Sequence, residues 1–108
     1  SKMTGSALLE STETLIRESL PGDADLDTKV RQLVISEYLR RIAGYRRVDL
    51  IFQRKYGMIF NEFIANRIPR AMNYSWEVES DAMEWEKAIG GAETLERKLT
   101  EMRGGFDD

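Results

Sequence analysis

The sequence predicts an all-α fold: a small helical domain with a long central helix and a long C-terminal helix, forming a helical hairpin or a bundle completed by dimerisation. Three observations predict it. Apolar residues recur at three- and four-residue steps over two long stretches, no window sustains period-two alternation, and only two prolines interrupt 108 residues. That length fits one domain. Residues 1–6 read as a flexible N-terminus, 7–103 as a single helical domain and 104–108 as a flexible C-terminal tail.

A first helix is predicted from Ala7 to Leu20, where Leu8, Leu9, Leu15, Ile16 and Leu20 form an amphipathic pattern. Ser6 is its candidate cap and Pro21-Gly22 its stop. The segment from Gly22 to Asp27 reads as a turn, with Asp27 or Thr28 capping the next helix. Asp23, Asp25 and Asp27 are spaced like the opening of a calcium loop. The sixth position is Thr28 rather than glycine and the twelfth is Val34 rather than glutamate, so the pattern is read as capping and solvation.

The central helix is predicted from Thr28 to Lys55. Val30, Leu33, Val34, Leu39, Ile42, Tyr45, Phe52 and Tyr56 recur at helical spacing, while Ile35, Tyr38, Val48, Leu50 and Ile51 widen the apolar surface beyond one stripe. Such a helix needs cover from two sides. Gly44 costs about 1 kcal/mol relative to alanine inside a helix, which either serves close packing or marks a break. In the second case Val48–Phe52 becomes a short strand. Gly57 is placed to stop the helix in a left-handed conformation.

A short helix over Ile59–Ile68 carries Phe60, Phe63, Ile64 and Ile68, and Pro69 forces an exit. The last helix begins near Ser75. Val78, Ala82, Trp85, Ile89, Ala92, Leu95, Leu99 and Met102 step by three or four, close to a heptad seam. The seam shifts near Gly90-Gly91, where the helix is either kinked or continuous. Gly104-Gly105 ends it. The seam and the broad apolar surface of the central helix can bury each other within one chain or meet a second copy, and a homodimer is the expected state.

Charge divides the chain into three. From Lys29 to Met72 ten Lys or Arg residues face Glu37, Asp49 and Glu62, a balance of +7; residues 1–28 carry −4 and residues 73–108 carry −6, which together give the net −3. Opposite ends of such a chain suit different partners or each other. No run approaches the eighteen apolar residues of a membrane span, and Met3–Leu20 lacks the basic start and apolar heart of a signal peptide, so a cytoplasmic protein is expected.

Histidine and cysteine are both absent, which removes imidazole acid–base catalysis, histidine metal sites, thiol nucleophiles and disulfides. No Walker loop or Gly-x-Gly-x-x-Gly turn is present. Glu77, Asp81 and Glu84 lie on one helix face, yet one face of one helix supplies no complete metal shell, so a solvated acidic face is expected. No catalytic residue, cofactor or metal is predicted. Arg40, Arg47 and Arg54 recur every seven residues and form a broken basic ridge suited to a polyanion, whereas Arg41 and Arg46 splay from it. Trp85 belongs to the apolar seam, while Trp76 lies near the helix start beside Tyr74. Exposed aromatics in such a setting anchor protein complexes.

Two segments carry a family resemblance. Phe52-Gln-Arg-Lys55-Tyr56-Gly57-Met58-Ile-Phe60-Asn-Glu62-Phe63 is followed by Tyr74-Ser75-Trp76-Glu77-Val78-Glu79-Ser-Asp81-Ala-Met-Glu84-Trp85-Glu86. Together they resemble small helical prokaryotic antitoxins of toxin–antitoxin pairs, over roughly Lys29 to Arg103. Met83 stands where similar proteins often have another aromatic residue, so packing on that face differs. The resemblance implies a partner toxin acting on RNA or nucleotides and no enzyme activity in this chain. Trp76, Glu77, Asp81, Glu84 and Trp85 are then the expected partner-binding residues, meeting a basic protein through charge and apolar burial. The alternative is a small nucleic-acid-binding regulator using Arg40, Arg47 and Arg54.

Overall fold

The computed structural model describes residues 7–66 and 75–106, with side chains as far as Gly104. The proposed flexible end at 1–6, the Ser6 cap, Ile68, the Pro69 exit, Tyr74 and residues 107–108 lie outside the described residues. Those described form four helices and no strand: α1 (Glu10–Ser19), α2 (Leu26–Tyr56), α3 (Phe60–Ala65) and α4 (Trp76–Phe106). The all-α expectation and the two long helices are therefore observed. The chain divides into two compact units, Ser1–Glu37 and Tyr38–Asp108.

In the first unit α1 starts later than the apolar pattern predicts. Leu9 is extended at φ −63°, ψ 149° and precedes the helix, and Leu8, Leu9 and Leu15 are exposed. Ile16 is the buried residue of α1. The turn before α2 is fixed by side chains. Asp25 Oδ1 accepts the Thr28 N–H at 2.8 Å, so Asp25 caps the helix in place of Asp27 or Thr28, and α2 starts at Leu26 instead of Thr28. Hydrogen bonds from the Thr28 side chain and backbone hold the Asp25 carboxyl below its ordinary value. Lys29 is buried, and its Nζ donates to the carbonyl of Leu20, the residue that closes α1, at 2.7 Å, tying the end of α1 to α2.

In the second unit α2 continues unbroken through Gly44, so Val48–Phe52 is helix and not strand. It ends at Gly57, whose φ of 69° is the left-handed stop the sequence predicts, with the Gly57 N–H donating to the Gln53 carbonyl at 2.7 Å. From Tyr38 onward α2 lies antiparallel to α4: Lys55 meets Asp81, Asp49 meets Trp85 and Arg46 meets Glu96. Between them Phe52, Phe63, Val78 and Trp85 form the buried core, edged by Val48, Tyr56, Met58, Phe60, Ala82 and Ile89. Of the predicted α4 seam Val78, Trp85, Ala92, Leu95 and Leu99 are buried, Ala82, Ile89 and Met102 are half-buried, and Ala88, outside the predicted seam, is buried as well. The α4 seam is thus covered within one chain, while Leu39, Leu50 and Ile51 of α2 remain exposed.

Helix α4 is continuous through Gly90-Gly91, and it also runs past the expected stop at Gly104-Gly105 to Phe106. A Cβ on Gly91 would lie 2.6 Å from Cε2 and Cζ of Tyr45, so this glycine admits the tyrosine ring against the helix; a Cβ on Gly90 would meet nothing. Opposite outcomes are expected from the same substitution at adjacent positions. Gly90→Ala should stabilise by about 0.5–1 kcal/mol through helix propensity. Gly91→Ala should lose about 1 kcal/mol once displacement of Tyr45 outweighs that gain. Urea unfolding of both variants checks this, and shifts of the same sign would contradict it.

Candidate functional site

The acidic N-terminal half of α4 is where the sequence places partner binding, and the structure divides those residues into three groups. Ser75 starts the helix, its Oγ accepting the Val78 N–H at 3.3 Å. With Val78 and Trp85 turned to the core, helical geometry sends Trp76 and Met83, seven residues apart, to the opposite face.

Trp85 lies in the core and not on the candidate surface. Its side chain is fully buried, with ring centroids of Phe52, Tyr56, Phe60 and Phe63 at 5.6, 6.0, 5.3 and 4.9 Å. Its indole Nε1 donates to Asp49 Oδ1 at 2.8 Å, which satisfies the one polar atom taken inside. Trp85 is a core residue and not a partner contact.

Glu77 and Asp81 turn toward α2. Lys55 Nζ donates to Glu77 Oε2 and to Asp81 Oδ2, each at 2.6 Å, and the Tyr56 hydroxyl donates to Asp81 Oδ2 at 2.6 Å. The pair therefore locks the hairpin before it meets any partner. Burial alone would push the Asp81 carboxyl up, but the hydrogen bonds from Lys55 and Tyr56 overcome it and hold the group below its ordinary value. Lys55 is raised by its hydrogen bonds to Asp81 first and Glu77 second. Tyr56 is pushed up to about 12, by burial first and then by the Asp81 bond.

These directions fix the sign of the pH dependence. Asp81 favours folding above the ordinary carboxylate pKa of about 4, and that contribution is lost as pH falls through its lower folded value. Tyr56, raised, contributes below about 10 and loses its contribution as pH rises toward about 12. The stability gap between the native chain and Asp81→Asn should be level from about pH 5 to 9 and shrink below about pH 4. Urea unfolding across that range tests this, and a gap still undiminished at pH 2 would contradict it.

The remaining residues face solvent. Trp76 is 82% exposed and Met83 71% exposed, and Glu79, Glu84 and Glu86 beside them are exposed as well. Glu84 thus stays in the candidate surface, while Met83, noted in the sequence only for replacing an aromatic, joins it. Its seven-residue spacing from Trp76, opposite the seam, was the available signal.

On α2, Arg40, Arg47 and Arg54 are all exposed, and Leu39 and Leu50 on the same side of the helix are 46% and 49% exposed. The arginine ridge therefore sits in an apolar border. Arg46 turns away from it to α4, donating to Glu96 Oε2 at 2.6 Å, which raises its pKa. Among the described residues no group of three or more His, Cys, Asp or Glu is arranged to hold a metal ion, and no helix is long and apolar enough to cross a membrane. No known protein family, curated protein or solved structure matches this chain.

Proposed function

We propose that this chain is a non-enzymatic protein-binding module that docks a basic partner through the outer face of α4. The observation that carries the reading is the pair Trp76 and Met83. Trp76 is the most exposed large apolar side chain among the described residues, and Met83 lies two turns along the same face among Glu79, Glu84 and Glu86. A tryptophan loses little conformational freedom when covered and brings a large contact area, and methionine adapts to irregular surfaces. Surrounding carboxylates steer a cationic surface toward them and fix its register.

The resemblance to small helical antitoxins supplies the class of partner: a toxin whose basic groove acts on RNA or nucleotides. An acidic, aromatic helix covering that groove competes with the polyanion for the same cations. Because Glu77 and Asp81 are held by Lys55 on the protein's own surface, Glu79, Glu84 and Glu86 carry the intermolecular charge. Co-expression with the product of the adjacent gene, followed by size-exclusion chromatography at physiological salt, should yield one stoichiometric complex. Separate elution of the two proteins would defeat the proposal.

A further inference from the structure

Beyond Met83 along the hairpin, the two long helices enclose a groove of about 480 Å³. Tyr38, Arg41 and Tyr45 line it from α2, and Lys87, Thr94 and Lys98 line it from α4. No acidic residue lines it, although the chain as a whole carries −3. Arg41, Lys87 and Lys98 make no ion pair or hydrogen bond with any described residue, in contrast to Arg46 and Lys55 on the same hairpin. The hydroxyls of Tyr38, Tyr45 and Thr94 are likewise without a described partner. Three cations that have no partner among the described residues and surround one open cavity repel each other and gain from an anion that bridges them.

We propose that this groove binds nucleotide phosphates, carried either by a free nucleotide or by a short single strand. Lys87 and Lys98 stand eleven residues apart on α4, about 16 Å along the helix axis. At about 3.4 Å per stacked nucleotide that length accommodates four to five nucleotides. Arg41 enters from the facing helix between them, and Tyr38 and Tyr45, two turns apart, present rings on which bases stack. Gly91 contributes by letting the Tyr45 ring lie against α4 at the groove wall. The groove is separate from the Arg40, Arg47 and Arg54 ridge, which occupies another side of α2. It also does not rest on the proposed docking of a basic protein, which its cations would repel.

Fluorescence anisotropy with labelled ten-nucleotide oligothymidylate, with ATP and inorganic tripolyphosphate as competitors, tests the proposal on the full chain. Saturable binding at 50 mM salt is expected, weakening about 20-fold at 200 mM, since three phosphate contacts give a log–log slope near −2. Lys87→Ala with Lys98→Ala should reduce that slope to about −0.7 and weaken binding at 50 mM by tenfold or more. Tyr38→Ala should weaken it about fivefold or more. Arg47→Ala with Arg54→Ala should change it by less than about twofold, and circular dichroism confirms that each variant folds. ATP competing as well as unlabelled strand identifies the free nucleotide as the source, and a strand-only response identifies the single strand. Absence of saturable binding by both, equal competition by tripolyphosphate, or indifference to the lysine substitutions would overturn the assignment.

Discussion

Trp85→Ala is expected to cost about 3–5 kcal/mol, the range for deleting a large aromatic from a closed core. The side chain is fully buried and is the ring that Phe52, Tyr56, Phe60 and Phe63 all face, so its loss opens a cavity that no single neighbour can refill. It also deprives Asp49 of the indole N–H. A domain of this size has about 5–15 kcal/mol of stability in total, so the substitution removes a large share of it. Trp85→Phe separates the two contributions. It keeps most of the ring volume and loses the hydrogen bond to a carboxylate, worth about 1.5–3 kcal/mol. Urea unfolding that ranks the native chain above Trp85→Phe and that above Trp85→Ala agrees with this packing. A Trp85→Ala cost below about 1 kcal/mol is incompatible with a buried ring.

Phe63→Ala should cost a similar amount, about 3–5 kcal/mol, with a different local consequence. Helix α3 is six residues long, far too short to be stable alone, and Phe63 is its buried residue. Its ring lies 4.7 Å from Tyr56 and 4.9 Å from Trp85. Glu62 anchors the other end by accepting the Ile59 N–H at 3.3 Å, a bond too exposed to hold the helix once the ring is gone. Removal of Phe63 should therefore release α3 and uncover Trp85 while α2 and α4 remain helical. Amide exchange should accelerate across Phe60–Ala65 more than across Val78–Leu99. Uniform acceleration over both segments would show that α3 does not open separately.

The contrast between the two tryptophans shows what the sequence makes legible. Trp85 falls on a seam of three- and four-residue steps and Trp76 falls off it, so helical periodicity alone assigns one to the core and leaves the other at the surface. Grouping both as partner contacts followed the resemblance. The two segments that carry the resemblance supply Phe52, Tyr56, Phe60, Phe63 and Trp85, the rings of one aromatic cluster.

The acidic residues were legible only halfway. Spacing places Glu77, Asp81 and Glu84 on one face, but Lys55 lies 22 and 26 residues from its two partners, and only the antiparallel register of α2 and α4 brings them together. The same register collects Arg41, Lys87 and Lys98, none conspicuous in its own helix. At Gly44 and at Gly90-Gly91 propensity left a break or a kink open; both helices run through, and at Gly91 the packing of the Tyr45 ring outweighs the glycine's preference.

The proposed docking face of α4 is tested most directly by titration calorimetry of the co-purified partner against the native chain and Trp76→Ala at physiological salt. Trp76 is 82% exposed and supports no internal packing, so its removal leaves the fold intact. Loss of a central aromatic anchor costs about 2 kcal/mol or more, a weakening of roughly 30-fold. An affinity unchanged by Trp76→Ala, in a complex that still forms, would place the interface elsewhere and contradict the assignment.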